Sequence, residues 1–151
     1  DQLSAAHPAD PFYHEFRGDI LLSMANAAAA AAASETALTF RPDSPQILVN
    51  FGRALIATND KKRLSRAIKA ILAAQKTEPK WAFIQRQLAI AYGRNGDIAA
   101  ADLALDEEAI LLGDSRQAAR MAKRVLSRDG LKDELRNRAN DILFHFGKLT
   151  P

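Results

Sequence analysis

At 151 residues, 48% hydrophobic and 26% charged, the sequence has the size and composition of one globular domain, which excludes wholesale disorder. Aromatic content of 7% with few Gly and Pro argues against a turn-rich β-sandwich and in favour of helices. The absence of cysteine excludes disulfides and thiolate metal sites, and a net charge of +3 spread among interleaved acids gives no nucleic-acid signature.

In chain order, Asp10-Pro11 places a capping side chain before a proline at the first helical position and predicts a helix over 11–24. The stretch "NAAAAAAASETAL" at 26–38 reads either as a linker or as the core of a helix over 26–40, since alanine loses no side-chain entropy in a helix. Arg41-Pro42 stops that helix, and Ser44-Pro45 starts the next over 45–58. Helices over 61–76 and 80–94 follow, separated by Glu78-Pro79. Asp97 and Asp114, each after a glycine, cap predicted helices over 98–112 and 115–128. A last helix over 131–146 sets Leu135, Ala139, Ile142, Leu143 and Phe146 on one face.

These helices repeat. Gly18 and Gly52 stand 34 residues apart, Pro42 and Pro79 stand 37 apart, Ala30 and Ala67 stand 37 apart, and Ala67 and Ala101 stand 34 apart. Three extra residues therefore lie between Gly52 and Ala67, where "TNDKKR" at 58–63 is a polar turn able to accept them. A period of 34 with small residues in both helices and a closing proline resembles the tetratricopeptide repeat. The first repeat shows Gly18, Leu21, Ala30, Ala37 and Pro42, and the second shows Leu48, Gly52, Leu55, Ala67, Ile71, Ala74 and Pro79. The third shows Leu88, Ala89, Tyr92, Gly96 and Ala101. Departures are His14 and Gln85 for the usual tryptophan, Ser34 for a bulky residue, and Gly113 where the next proline was due. Ala30 and Ala37 fall in phase with Ala67 and Ala74, so the linker reading of the alanine run fails.

The expected fold is all-α: a tetratricopeptide-type right-handed solenoid of about eight antiparallel helices with a C-terminal capping helix. It is read as a single domain spanning 1–151, with repeats at 11–44, 45–81 and 82–112 and degenerate last helices and cap at 115–146. The resemblance implies a concave groove lined by the first helix of each repeat. The residues expected there are Phe12, Glu15, Phe16 and Asp19, then Gln46, Val49, Asn50 and Arg53, then Phe83, Arg86, Gln87, Ile90 and Arg94. Phe12, Phe16 and Phe83 read equally as core residues. Some repeats of this type grip the C-terminal carboxylate of a heat-shock chaperone through lysines, asparagines and an arginine. Here Glu15 and Asp19 stand where Lys and Asn would be needed, and Phe83 and Gln87 replace Lys and Arg, although Asn50 matches. Two carboxylates would repel that ligand, so the clamp is rejected.

Catalytic and metal motifs are scarce. His7, His14 and His145 are far apart, and "HEFRG" at 14–18 begins like HExxH but places Gly18 where the second ligand is required. Glu107 and Glu108 are adjacent and read as solvated. No cofactor, metal or catalytic group is expected in this chain. The basic segment at 116–138 is diluted by acids and reads as a solvated face, so nucleic acid is not an expected partner. Every apolar run is too short to cross a bilayer.

A closer resemblance rests on "WAFIQRQLAIAYGRNGDIAAADLALDEEAILLGDSRQAARMAKRVL" at 81–126, with "DPFYHEFRGDILL" and "NFGRALIATND" before it. Together these are similar to the C-terminal domain of BepA-like periplasmic zinc metallopeptidases, relatives of the CAAX prenyl protease. The alanine run departs from that family's longer-side-chained helix. The resemblance implies a fragment of a longer periplasmic or membrane-associated protease, whose zinc would reside in a separate HExxH domain. It implies a non-catalytic half that packs on that domain and binds unfolded client or envelope-assembly polypeptides. The competing expectation is a free-standing tetratricopeptide adaptor.

Overall fold

The computed structural model describes residues 10–147, and all regular structure among them is helical. The helices are α1 (Pro11–Ser23), α2 (Ala27–Phe40), α3 (Pro45–Ala57), α4 (Lys61–Thr77), α5 (Ala82–Asn95), α6 (Ile98–Leu111), α7 (Ser115–Leu126) and α8 (Asp133–Phe146). Every boundary lies within two residues of its predicted position. The chain divides between Pro79 and Lys80 into two compact units. In the first, α1 packs on α2, α2 on α3 and α3 on α4, and α1 also reaches α3. In the second, α5 packs on α6, α6 on α7 and α7 on α8, and α6 also reaches α8. Consecutive helices packed through short turns are the helical-repeat architecture that the 34-residue spacing predicts.

Caps set the starts. Backbone N–H groups of Phe12, Ala29, Lys62, Ala100 and Gln117 donate to the side chains of Asp10, Asn26, Asp60, Asp97 and Asp114 at 2.9–3.3 Å. Ser44 occupies the capping position of α3, but its side chain makes no capping bond, and Pro45 supplies the start by its fixed φ. Gly96 and Gly113 end α5 and α6 in the left-handed region, at φ 87° and 79°. There the N–H groups of Asp97 and Asp114 reach back to the carbonyls of Tyr92 and Ala109 at 3.0 and 2.8 Å. Gly113 thus does the terminating work that proline does in the earlier repeats.

The three inserted residues do not lengthen the turn, as the sequence suggests they would. Lys61–Arg63 are helical, and α4 runs 17 residues against 14 for α2 and α6. Lysine and arginine are good helix formers, and the Asp60 cap lies directly before them.

In the first unit the alanine helix α2 buries Ala30, Ala31, Ala33, Ser34 and Ala37. A Cβ placed on Gly18 would lie 2.9 Å from Ser34 Oγ and 3.6 Å from the Ala30 carbonyl oxygen. Ser34 therefore replaces a bulky residue because α1 and α2 approach too closely for one. The α3–α4 hairpin carries the larger side chains, with Ile47, Phe51, Leu55, Ile56, Leu64 and Ile71 buried. In the second unit α8 lays Ala139, Ile142, Leu135, Leu143 and Phe146 onto a cluster containing Ala109, Ala118, Ala122, Val125 and Leu131. That is the apolar face expected of the last helix.

Candidate interaction surfaces

Helix α1 carries apolar groups on both sides, with Leu21 and Leu22 half-buried on the packing side and phenylalanines facing outward. Its buried residues are His14 and Gly18, and at Gly18 close packing on α2 leaves no room for a side chain. At 100° per residue, the opposite face is centred on Phe16, with Phe12 and Ile20 one turn to either side. Phe12 is 64% exposed and Phe16 62%, Ile20 is also exposed, and Met24 continues the row at 71% just past the helix end. Large aromatic side chains so open to water are the informative observation, because nothing in the folding of α1 requires them there. Phe12, Glu15, Phe16 and Asp19 line a shallow depression of about 420 Å³. Partial burial, then the neighbouring Asp19 carboxylate, push the Glu15 carboxyl upward against the opposing pull of Arg41. The Arg41 guanidinium lies 5.6 Å from the Phe12 ring centroid, a cation–π contact at one end of the row.

The other groove residues expected in this unit divide. Gln46 is exposed, and Arg53 is partly buried with its Nη1 donating to Asn50 Oδ1 at 3.1 Å. Val49 and Asn50 are buried, so neither presents a free surface: α3 is covered on nearly all sides. Between the core and groove alternatives for Phe12 and Phe16, the structure gives exposure.

In the second unit Phe83 and Ile90 are exposed on α5, as is Arg94, while Gln87 is buried and presents no free surface. Trp81 and Phe83 lie ring to ring at 5.8 Å. Arg86 is directed at Glu108, donating from Nε to both carboxylate oxygens at 2.7 and 2.8 Å. The turns before α6 and before α8 frame an open cleft of about 670 Å³, lined among others by Asp97, Arg124, Arg128 and Lys132. Its cations are partly committed. Arg124 and Arg128 both donate to the buried Asp102, and Lys132 Nζ lies 3.9 Å from Asp97.

Sequence reasoning missed the buried acids of α6. Glu108 is not solvated as expected: it is buried and held by Arg86, while Glu107 pairs with Arg138 on α8. Asp102 is buried under its two arginines. Asp106 is fully buried, and neither carboxylate oxygen has a hydrogen-bond partner. Burial, then Asp102 and Glu107, push its carboxyl up to about 8, against the attraction of Arg124. One signal was available: Glu108 stands 34 residues after Ala74, at a position the repeat fills with alanine.

His7 lies outside the described residues. Among the described residues, no group of histidine, aspartate and glutamate side chains is placed to hold a metal ion, and no helix is long and apolar enough to cross a membrane. Compared with known proteins, the sequence matches no family model and no curated protein.

Proposed function

We propose that this chain is a non-catalytic protein–protein interaction domain of tetratricopeptide type. The observation that carries the reading is the outward apolar face of α1, with Phe12 and Phe16 exposed beside Glu15 and Asp19 on a helix that packs by its other side. The 34-residue spacing of small residues supports the repeat type. The resemblance of residues 81–126 to BepA-like metallopeptidases supports the larger setting: a periplasmic or membrane-associated protease, with this domain packed on a zinc-bearing catalytic domain and receiving client or envelope-assembly polypeptides in a concave groove.

The test is retention on the immobilised chain. A denatured outer-membrane protein and a separately produced HExxH domain of the metallopeptidase family are passed over it, with their folded and unrelated counterparts as controls. Retention of both is the expected result, and retention of neither overturns the reading. Retention of polypeptide without the protease domain supports the second reading, a free-standing adaptor. Both readings make use of a distinct exposed surface on each of the two units.

A further inference from the structure

The outward face of α1 is specific enough to name the chemistry of what covers it. From Phe12 to Met24 the row runs about 18 Å at 1.5 Å per residue, with bulky groups at every fourth position. That spacing matches the apolar stripe of a second helix laid alongside, which offers side chains at the same intervals. One flank is acidic: Glu15 and Asp19 are one turn apart, on the same side of the row and both bordering the depression, while the exposed Arg17 stands on the opposite flank. Two carboxylates held near each other beside aromatic surface are relieved by an incoming cation, and they repel an acidic partner. Arg41 sits at the Phe12 end only, against that ring, and leaves the Asp19 end of the flank acidic.

We infer that the α1 face, through Phe12, Phe16 and Ile20 with Glu15 and Asp19, docks a short amphipathic helix of a protein partner whose apolar stripe is bordered by lysine or arginine. The inference rests on the interaction-domain reading and adds the class of segment bound. Apolar contact supplies the attraction, and the carboxylates select the sign of the partner and its register.

Two synthetic helical peptides of about 14 residues test it, both with leucine at every third or fourth position, one bordered by lysines and the other by glutamates. Binding to the full chain is followed by fluorescence anisotropy at low and high salt. The cationic peptide is expected to bind about tenfold or more tightly than the acidic one, and the preference is expected to shrink as salt rises. Phe16→Ala is expected to weaken the cationic peptide about tenfold. The paired Glu15→Gln and Asp19→Asn changes are expected to lower the cationic affinity and narrow the preference while leaving an apolar component. Phe16 and Asp19 are exposed and Glu15 is partly so, and circular dichroism melts check that the variants stay folded.

Equal affinity for the two peptides overturns the inference, as does cationic binding that Phe16→Ala leaves unchanged. Dimerisation of the free chain that Phe16→Ala abolishes would assign the face to a second copy, and binding of phosphatidylglycerol vesicles in place of the peptide would assign it to lipid. Either result overturns the inference. If denatured protein is still retained when the cationic peptide is not, the docking assignment fails alone. If both are lost, the broader reading fails with it.

Discussion

A side chain at position 52 would enter space that Ile71 already fills: a Cβ built on Gly52 lies 2.4 Å from Ile71 Cγ1 and 2.8 Å from Cδ1. The Ala67 carbonyl oxygen closes the same gap at 3.3 Å. Ile71 is fully buried and cannot swing away, so α3 and α4 meet at a distance that only glycine allows.

Gly52→Ala is therefore expected to destabilise the fold by about 1–3 kcal/mol, even though alanine is the better helix former by about 1 kcal/mol. Urea denaturation reads the change. In an Ile71→Ala background the same substitution should cost much less, because the obstructing carbons are gone. An unchanged cost in that background would show that the contact is not what excludes a side chain here.

The Arg86–Glu108 pair predicts an asymmetry. Glu108 is buried, whereas the Arg86 side chain is 56% exposed. Removing the arginine strands a carboxylate away from water, while removing the acid leaves a guanidinium already half in solvent. Arg86→Met is expected to cost about 1–3 kcal/mol, a range kept low because the pair is partly screened. Glu108→Ala, which restores the residue type found at Ala37 and Ala74, is expected to cost less than half as much. Equal losses in chemical denaturation would count against a buried-acid role for Glu108.

The helix positions were legible because periodic small residues, capping aspartates and prolines act locally. Asp10, Asp97 and Asp114 cap where their sequence neighbours say they should. Ser44 makes no side-chain cap although it precedes a proline just as Asp10 does, a difference that no local signal reports. Which face of a helix packs was harder to read. On α1 the packing side sets glycine and histidine beside the half-buried Leu21 and Leu22, while the open side carries two phenylalanines, so hydrophobicity alone does not pick the face. Phe12 and Phe16 stayed ambiguous in the sequence for that reason. The acids of α6 escaped notice because Glu108 and Asp102 are compensated by arginines 22 or more positions away, a relationship that only the packing of α5 and α7 creates.

Local stability should differ within the first unit. The α1–α2 hairpin buries mostly alanine, glycine and serine, whereas α3–α4 buries Ile47, Phe51, Leu55, Leu64 and Ile71. Each fully buried large side chain contributes about 1.5–3 kcal/mol, which the alanines cannot match. In native-state hydrogen exchange, amides at the centre of α1 are expected to be at least about tenfold less protected than those of α3. Equal protection across both hairpins would mean that the unit opens only as a whole. The difference matters for binding, because α1 carries the exposed aromatic row and would be the most adaptable element of the unit.

Asp106 ties stability to pH. Its carboxyl titrates near 8 in the fold, pushed there by burial first and by Asp102 and Glu107 next, against about 3.9 for an unfolded aspartate. Between those values the folded chain keeps a proton that the unfolded chain releases. The unfolded state thus binds fewer protons, and the Asp106 contribution to stability falls as pH rises from about 4 to about 8, then levels off where both states are ionised. Asp106→Asn, which cannot ionise, is expected to gain on the parent chain progressively over that window. The gain should be absent at pH 4 and largest above pH 8, and it is read as the difference between urea midpoints at each pH. Asp106→Leu, which also removes the unpartnered oxygens, is expected to stabilise the chain at pH 8 by about 1–3 kcal/mol. Parallel pH profiles for the parent and Asp106→Asn would mean that the carboxyl finds water or a partner in solution, and that the buried position is not the source of its shift.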